Sequence, residues 1–299
     1  MPHFTAPDGT RLAYHVRGEG EPLLCVPGGP MRASAYLADL GGLSARRRLI
    51  LLDLRGTGDS DTPADPATYR CDRQVADVEA LREQLGLDRV DLLAHSAGGD
   101  LALLYAARHP HRVRTLTLVT ARARALGIDF TEEHRREAAA LRAGEPWFED
   151  AHASLERIWA GSDADADWDA AGPFFYGRWD AAARAHAANE VEQTNAEAAE
   201  AYASPVAFSP AAARAVMETL DAPVLLLTGE LDSGPRPRVA ATIAALFPKA
   251  RLAVQPGAGH FPWLDDPQGF TRTVTAFLKS SGGRHRHAEG HTSGSHSTA

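Results

Sequence analysis

An α/β fold follows from three features of the sequence. Short apolar runs alternate with longer stretches of helical spacing through the first 120 residues. Three of those runs are rich in Leu and Val, as strands covered on both faces should be. The same alternation stops near residue 120 and resumes near residue 223, so one sheet is interrupted rather than followed by a second.

In chain order, strands are expected at Arg11 to Val16, Pro22 to Val26, Arg48 to Leu52, Val90 to Ala94 and Val113 to Val119. The last of the helices between them, in SAGGDLALLYAARHPHRV, puts Leu101, Leu104 and Tyr105 on one face and stops at Pro110, which cannot continue the hydrogen-bond ladder. From 121 to 209 strand-like runs vanish, Ala, Glu and Asp dominate, and Trp147, Trp159, Trp168 and Trp179 appear. This reads as a helical insertion. A strand returns at Pro223 to Thr228, then a helix around Val239 to Phe247, a strand at Arg251 to Val254, and a last helix ending near Lys279. Residues 1–120 and 210–280 thus form one core. Residues 281–299, rich in Gly, Ser, His and Thr, have almost nothing to bury and are expected to be disordered. Their histidines, His285, His287, His291 and His296, read as a solvated tail rather than a metal site.

The 299 residues carry 39 acidic and 31 basic groups, a net charge of −8, which offers no long-range attraction to nucleic acid or anionic lipid. A small molecule is the better partner. Two cysteines, Cys25 and Cys71, are too few for a disulfide framework or a cysteine zinc cluster, and Cys25 at the end of a core strand reads as packing. The N-terminus has no leader pattern, no run of about 18 apolar residues occurs, and a cytoplasmic setting is expected. No Walker pattern is present, Gly56-x-Gly58 lacks the helix start of a dinucleotide site, and neither cofactor nor metal is expected.

The sharpest local feature is Leu92-Leu93-Ala94-His95-Ser96-Ala97-Gly98-Gly99, a strand running straight into a helix with a serine at the corner. Such a turn needs small residues two before and two after the serine, here Ala94 and Gly98. A serine hydroxyl becomes a nucleophile only when a positioned base takes its proton and an acid holds that base. Two loops past strand ends supply candidates: Gly229-Glu230-Leu231-Asp232 and Gly257-Ala258-Gly259-His260. Asp232 is favoured over Glu230 because it sits further past its strand, and the chain order is then Ser96, Asp232, His260. Oxyanion donors are expected after the strand ending at Val26. In Pro27-Gly28-Gly29-Pro30-Met31 the prolines have no amide proton; Gly29 is the first choice and Gly28 the next, with the Ala97 amide at a helix N-terminus as second donor.

With CVPGGP, DLRGTGDS, AHSAGGDLALLYAARHPHRV, TGELD and GAGHFPWLDDP in place, the chain resembles the α/β-hydrolase superfamily, and within it the proline iminopeptidase group. The resemblance covers the scaffold on both sides of the insertion. It implies an α/β-hydrolase fold with a mostly parallel central sheet, helices on both faces and a helical cap at 121–209. It also implies Ser96 as nucleophile, Asp232 as acid, His260 as base, and a pocket beneath the cap. The chain departs from the usual pattern of the peptidase group at Pro27, Met31, Ala94 and Ala97. That group grips a free amino terminus with cap carboxylates, a role open here to Glu190, Glu192 and Glu197; Phe174, Phe175, Tyr176 and Trp179 are candidates for a pocket wall or for cap packing.

The activity expected is hydrolysis of a small-molecule or short-peptide ester or amide by acyl transfer to Ser96. An aminopeptidase of the proline type, an esterase, thioesterase or lactonase, and a carbon–carbon bond hydrolase all share these residues. A non-catalytic receptor on the same fold is the reading from another class, and an intact triad argues against it.

Overall fold

The computed structural model describes residues 1–282. Its centre is an eight-stranded sheet in the order β1-β2-β4-β3-β5-β6-β7-β8. The strands are β1 (His3–Thr5), β2 (Arg11–Arg17), β3 (Pro22–Val26), β4 (Arg48–Leu52), β5 (Val90–His95), β6 (Val113–Val119), β7 (Val224–Gly229) and β8 (Ala250–Gln255). From β4 to β8 every neighbouring pair is parallel, whereas β1 with β2 and β2 with β4 are antiparallel. The first expected strand therefore departs from the parallel pattern. Only four residues separate β2 from β3, too few for a crossover helix, so the chain reverses direction instead of returning parallel. β1, three residues at the sheet edge, is too short to give a periodic signal in the sequence.

Helices α1 (Val75–Gln84) and α2 (Gly98–Arg108) connect the parallel strands β4, β5 and β6. Between β6 and β7 the elements are helical: α3 (Glu132–Ala140), α4 (Phe148–Trp159), α5 (Asp165–Ala171), α6 (Ala181–Ala187), α7 (Glu190–Gln193), α8 (Ala196–Tyr202) and α9 (Pro210–Met217). After β7 come α10 (Pro237–Ala244), α11 (Pro262–Asp265) and α12 (Pro267–Gly282). The last helix thus runs three residues past Lys279, and the rest of the tail, with its four histidines, lies outside the described residues. None of the described helices is long and apolar enough to cross a membrane.

Strand alternation divides the core in two. On β3, Leu24 and Val26 face a cluster with Ile50, Leu92, Leu101 and Tyr105, while Leu23 and Cys25 face one with Leu49, Leu93, Leu227, Phe270 and Val274. Each buried Leu or Val contributes about 1.5 to 3 kcal/mol relative to exposure, which makes these continuous apolar strands the main anchor of the fold. The helical segment adds a small cluster of its own: Ala139, Ala151, Leu155, Ala171 and Phe174, with Trp147, Phe148, Ile158 and Trp159 against it. Phe175, Tyr176 and Trp179 pack on the main core instead, which leaves only Phe174 of the four candidate aromatics in the cap cluster, and the half-buried Phe175 ring also meets His260 edge-on at 6.3 Å.

Candidate active site

The site is built at the carboxyl edge of the parallel strands, where β5 turns into α2. Ser96 occupies that turn at φ +51, a left-handed conformation that costs a non-glycine residue about 1 to 2 kcal/mol. Three backbone bonds hold it there: its amide donates to Val119 O at 3.1 Å, and its carbonyl accepts from Gly99 and Arg122, both at 2.9 Å. The close quarters explain the small residues. A Cβ on Gly98 would stand 2.4 Å from Pro27 O, and one on Gly28 would stand 2.8 Å from both His95 O and Ser96 Cβ.

Ser96, His260 and Asp232 meet in one line. Ser96 Oγ lies 2.8 Å from His260 Nε2, and His260 Nδ1 lies 3.1 Å from each carboxylate oxygen of Asp232. Asp232 is 1% exposed and its Oδ1 also accepts the Gly234 amide at 2.9 Å. A carboxylate on Nδ1 keeps the proton there and leaves the Nε2 lone pair facing the serine hydroxyl. Glu230, the competing acid, is exposed and accepts the Gly257 amide at 2.8 Å, away from His260.

Of the three expected oxyanion donors, Gly28 is corrected. Its amide donates to Tyr36 Oη at 2.7 Å, so its proton is already committed. The amides of Gly29 and Ala97 have no acceptor among the described residues, which leaves both free for a ligand. Gly29 has φ +117, and a Cβ there would stand 2.7 Å from Arg32 N.

No local pattern in the chain marks the polar run beneath Ser96. Tyr36 Oη lies 2.7 Å from His95 Nδ1, and His95 Nε2 lies 2.9 Å from His260 O, which also accepts from Thr120 Oγ1 at 2.9 Å. Since a carbonyl can only accept, Nε2 of His95 carries the proton and Nδ1 receives the Tyr36 hydroxyl. The run Gly28 N–H, Tyr36 O–H, His95, His260 C=O thus joins the glycine loop to His260. Burial holds His95 well below the usual imidazole range, so it stays neutral.

The helical segment is tied to the same loops. Arg32, 2% exposed, donates to Gln193 Oε1 at 2.9 Å and His186 O at 3.2 Å, and pairs with Glu190 at 3.6 Å. Ala33 N donates to Gln193 O (2.8 Å), Asn195 N to Met31 O (3.0 Å), Tyr202 Oη to Ala97 O (3.0 Å) and His260 N to Phe175 O (2.7 Å). Glu190 therefore already has a cationic partner, while Glu192 and Glu197 are solvent-facing.

Two further groups have structural duties. Asp53 accepts Ser34 N and Oγ at 2.8 and 2.7 Å beside the glycine loop. With His15 and Asp59 it brings possible metal-ligand atoms within 4.8 Å of one another, but its second oxygen is taken by His15 and the Asp59 amide. Asp100, in the first turn of α2, accepts the Ala125 amide at 2.9 Å. A cavity of about 320 Å³ lined by Ile128, Asp129, His134, Arg238, Val239 and Thr242 contains none of the three residues in line.

A mostly parallel sheet whose central strand β5 delivers a serine at a left-handed turn, with an acid past the end of β7 and a histidine past the end of β8, defines the nucleophile-elbow architecture. Residues 21–267 match the family model described as the alpha/beta hydrolase fold, and the chain belongs to that family. A proline iminopeptidase of Heyndrickxia coagulans is 24% identical over 286 residues, covering 89% of this chain and 93% of the relative. Among solved structures, proline iminopeptidase of Mycobacterium smegmatis superposes with TM-score 0.73 at 24% identity, over 94% of this chain and 98% of the other. The esterase EaEST of Exiguobacterium antarcticum gives 0.69 at 22%, over 93% and 98%.

Proposed function

We propose that the chain is a serine hydrolase that cleaves an ester or amide bond of a small molecule through an acyl-enzyme on Ser96. The observation that carries this reading is the continuous contact from Ser96 Oγ to His260 Nε2 (2.8 Å) and from His260 Nδ1 to Asp232 (3.1 Å). Ser96 Oγ attacks the substrate carbonyl while His260 Nε2 takes its proton, and Asp232 stabilises the imidazolium that forms. The tetrahedral oxyanion is received by the Gly29 and Ala97 amides, the second of them at the N-terminus of α2. His260 then protonates the leaving alcohol or amine, and a water activated by the same nitrogen releases the acid.

Residues 121–209 serve in this reading as a cap, supported by their bonds to Met31, Ala33 and His260. Cys25 and Cys71 are free and buried, in keeping with a reducing compartment such as the cytoplasm. The partner is a small molecule or short peptide, not nucleic acid or membrane. A proline-type aminopeptidase is the second reading, carried by the Heyndrickxia coagulans relative, which matches along nearly the whole chain.

A fluorophosphonate probe and a substrate panel test the proposal, with Ser96→Ala as control throughout. Labelling of the parent chain and not of the variant is expected; absence of labelling in folded protein would favour a non-catalytic binder. Fast cleavage of a prolyl arylamide relative to other aminoacyl arylamides selects the peptidase, and cleavage of aryl esters alone selects the esterase.

A further inference from the structure

Arg122 follows β6, and the strand order β5-β6-β7 puts the end of β6 between Ser96 and Asp232. Its amide donates to Ser96 O at 2.9 Å, and two residues earlier Thr120 holds the carbonyl of His260. The guanidinium lies over the Phe130 ring, 5.2 Å from the centroid. That ring packs on the acid loop, where a Cβ on Gly234 would meet it at 2.6 Å. The backbone of Arg122 is therefore fixed to the nucleophile turn and its head group to a ring seated on the acid loop.

Among the described residues the head group has no counter-ion. Among the described residues it makes no hydrogen bond and no ion pair, and Nε is buried without a partner. Buried donors in folded proteins are nearly always satisfied, so this one calls for an acceptor. The acidic side chains in its electrostatic reach are both engaged elsewhere: Asp129 binds Arg124 at 2.7 Å, and Asp100 binds the Ala125 amide. Arg135 lies over the same ring at 5.5 Å, also without a carboxylate partner among the described residues. Burial and the neighbouring Arg124 and Arg135 hold Arg122 below the usual guanidinium range, yet an arginine remains charged there. A planar fork with an unsatisfied Nε along one edge matches a carboxylate approached by two parallel N–H donors.

We propose that Arg122, with Arg135 against the shared ring, binds a carboxylate carried by the substrate a short chain away from the bond that Ser96 attacks. This rests on the hydrolase reading and names its substrate class: an ester or amide bearing a free carboxylate. A substrate gripped by a protonated amine would meet charge of the wrong sign at this place.

Binding can be read without turnover. Calorimetry on the full-length Ser96→Ala chain compares monomethyl glutarate, an ester with a free carboxylate, with dimethyl glutarate, its neutral counterpart. The monoester should bind at least tenfold more tightly, and adding Arg122→Gln should erase the difference. Arg122→Lys, which keeps the charge but not the fork, should shrink it, and serves as second variant if the glutamine protein does not fold. Equal affinities, no detectable binding of either ester, or a preference that survives Arg122→Gln would overturn the proposal. Fluorophosphonate labelling of the parent chain is scored separately, so a monoester preference without labelling would retire the hydrolase and leave the anion site standing.

Discussion

Tyr36 Oη and His95 Nδ1 are 2.7 Å apart, and through this contact the glycine loop and His260 share one hydrogen-bonded chain. The geometry of Gly29 relative to His260 thus depends on two residues outside the Ser96–His260–Asp232 line. Tyr36→Phe removes the acceptor of the Gly28 amide and leaves His95 Nδ1 buried and unpaired. A loss of about 1 to 3 kcal/mol in stability is expected from the orphaned nitrogen. A fall of roughly tenfold to a hundredfold in kcat with little change in KM is expected from the loosened loop. Steady-state kinetics with an aryl ester checks this; a variant whose kcat per folded molecule is unchanged would show the chain to be scaffolding only.

Gly98 tests the elbow itself. Its absent Cβ would stand 2.4 Å from Pro27 O, a backbone atom fixed by β3, so Gly98→Ala has nowhere to put the methyl group. Overpacking of this kind costs about 1 to 3 kcal/mol, and the displaced Pro27-Gly28-Gly29 loop should lower activity as well. Urea unfolding with an unchanged midpoint would contradict the close approach.

Burial raises the Asp100 carboxyl from its usual 3.8 to about 6. Between those two values the unfolded chain has released the proton while the folded chain keeps it, so folding stability falls as pH rises and the loss is complete above pH 6. At about 1.4 kcal/mol per pH unit the penalty reaches at most roughly 3 kcal/mol. Asp100→Asn keeps an oxygen for the Ala125 amide and should be more stable than the parent at pH 8. The advantage should fade below pH 4, as thermal melts at both pH values can show.

His186 carries the opposite sign. Burial, then the charge of Arg32, lowers its pKa from 6.5 to about 4, while Nε2 bonds Tyr36 O at 3.2 Å and Nδ1 meets Tyr176 Oη at 2.8 Å. As pH falls below 6.5 the unfolded chain gains a proton that the folded chain refuses until about 4, so stability is lost across that window, by up to roughly 3 kcal/mol. His186→Gln should flatten the acid limb of the stability profile. An unaltered slope between pH 6.5 and 4 would assign the acid sensitivity elsewhere, with buried His95 the first alternative.

The sequence by itself determined the strands from β2 to β8 to within a residue or so, because continuous apolar runs have no other use in a compact chain. It also named Ser96, Asp232 and His260, since a strand end followed by small residues marks a carboxyl-edge loop wherever it occurs. It chose Asp232 over Glu230 by distance past the strand, and the structure puts Asp232 on His260. Local spacing does not carry long-range contacts, and these were decided by the tertiary structure. Whether an amide proton is free depends on what folds against it, and Tyr36, eight residues on, takes that of Gly28. That β2 pairs with β4 rather than with β3, the strand it leads into, was likewise decided by the fold. Arg122 and Phe130 look like an ordinary charge and an ordinary apolar residue in the chain; only the fold seats that ring on Gly234 of the acid loop and leaves the guanidinium without a hydrogen bond or ion pair among the described residues. Chemistry set by residue type and chain order was legible in one dimension, and chemistry set by which donors and charges remain unpaired after folding was not.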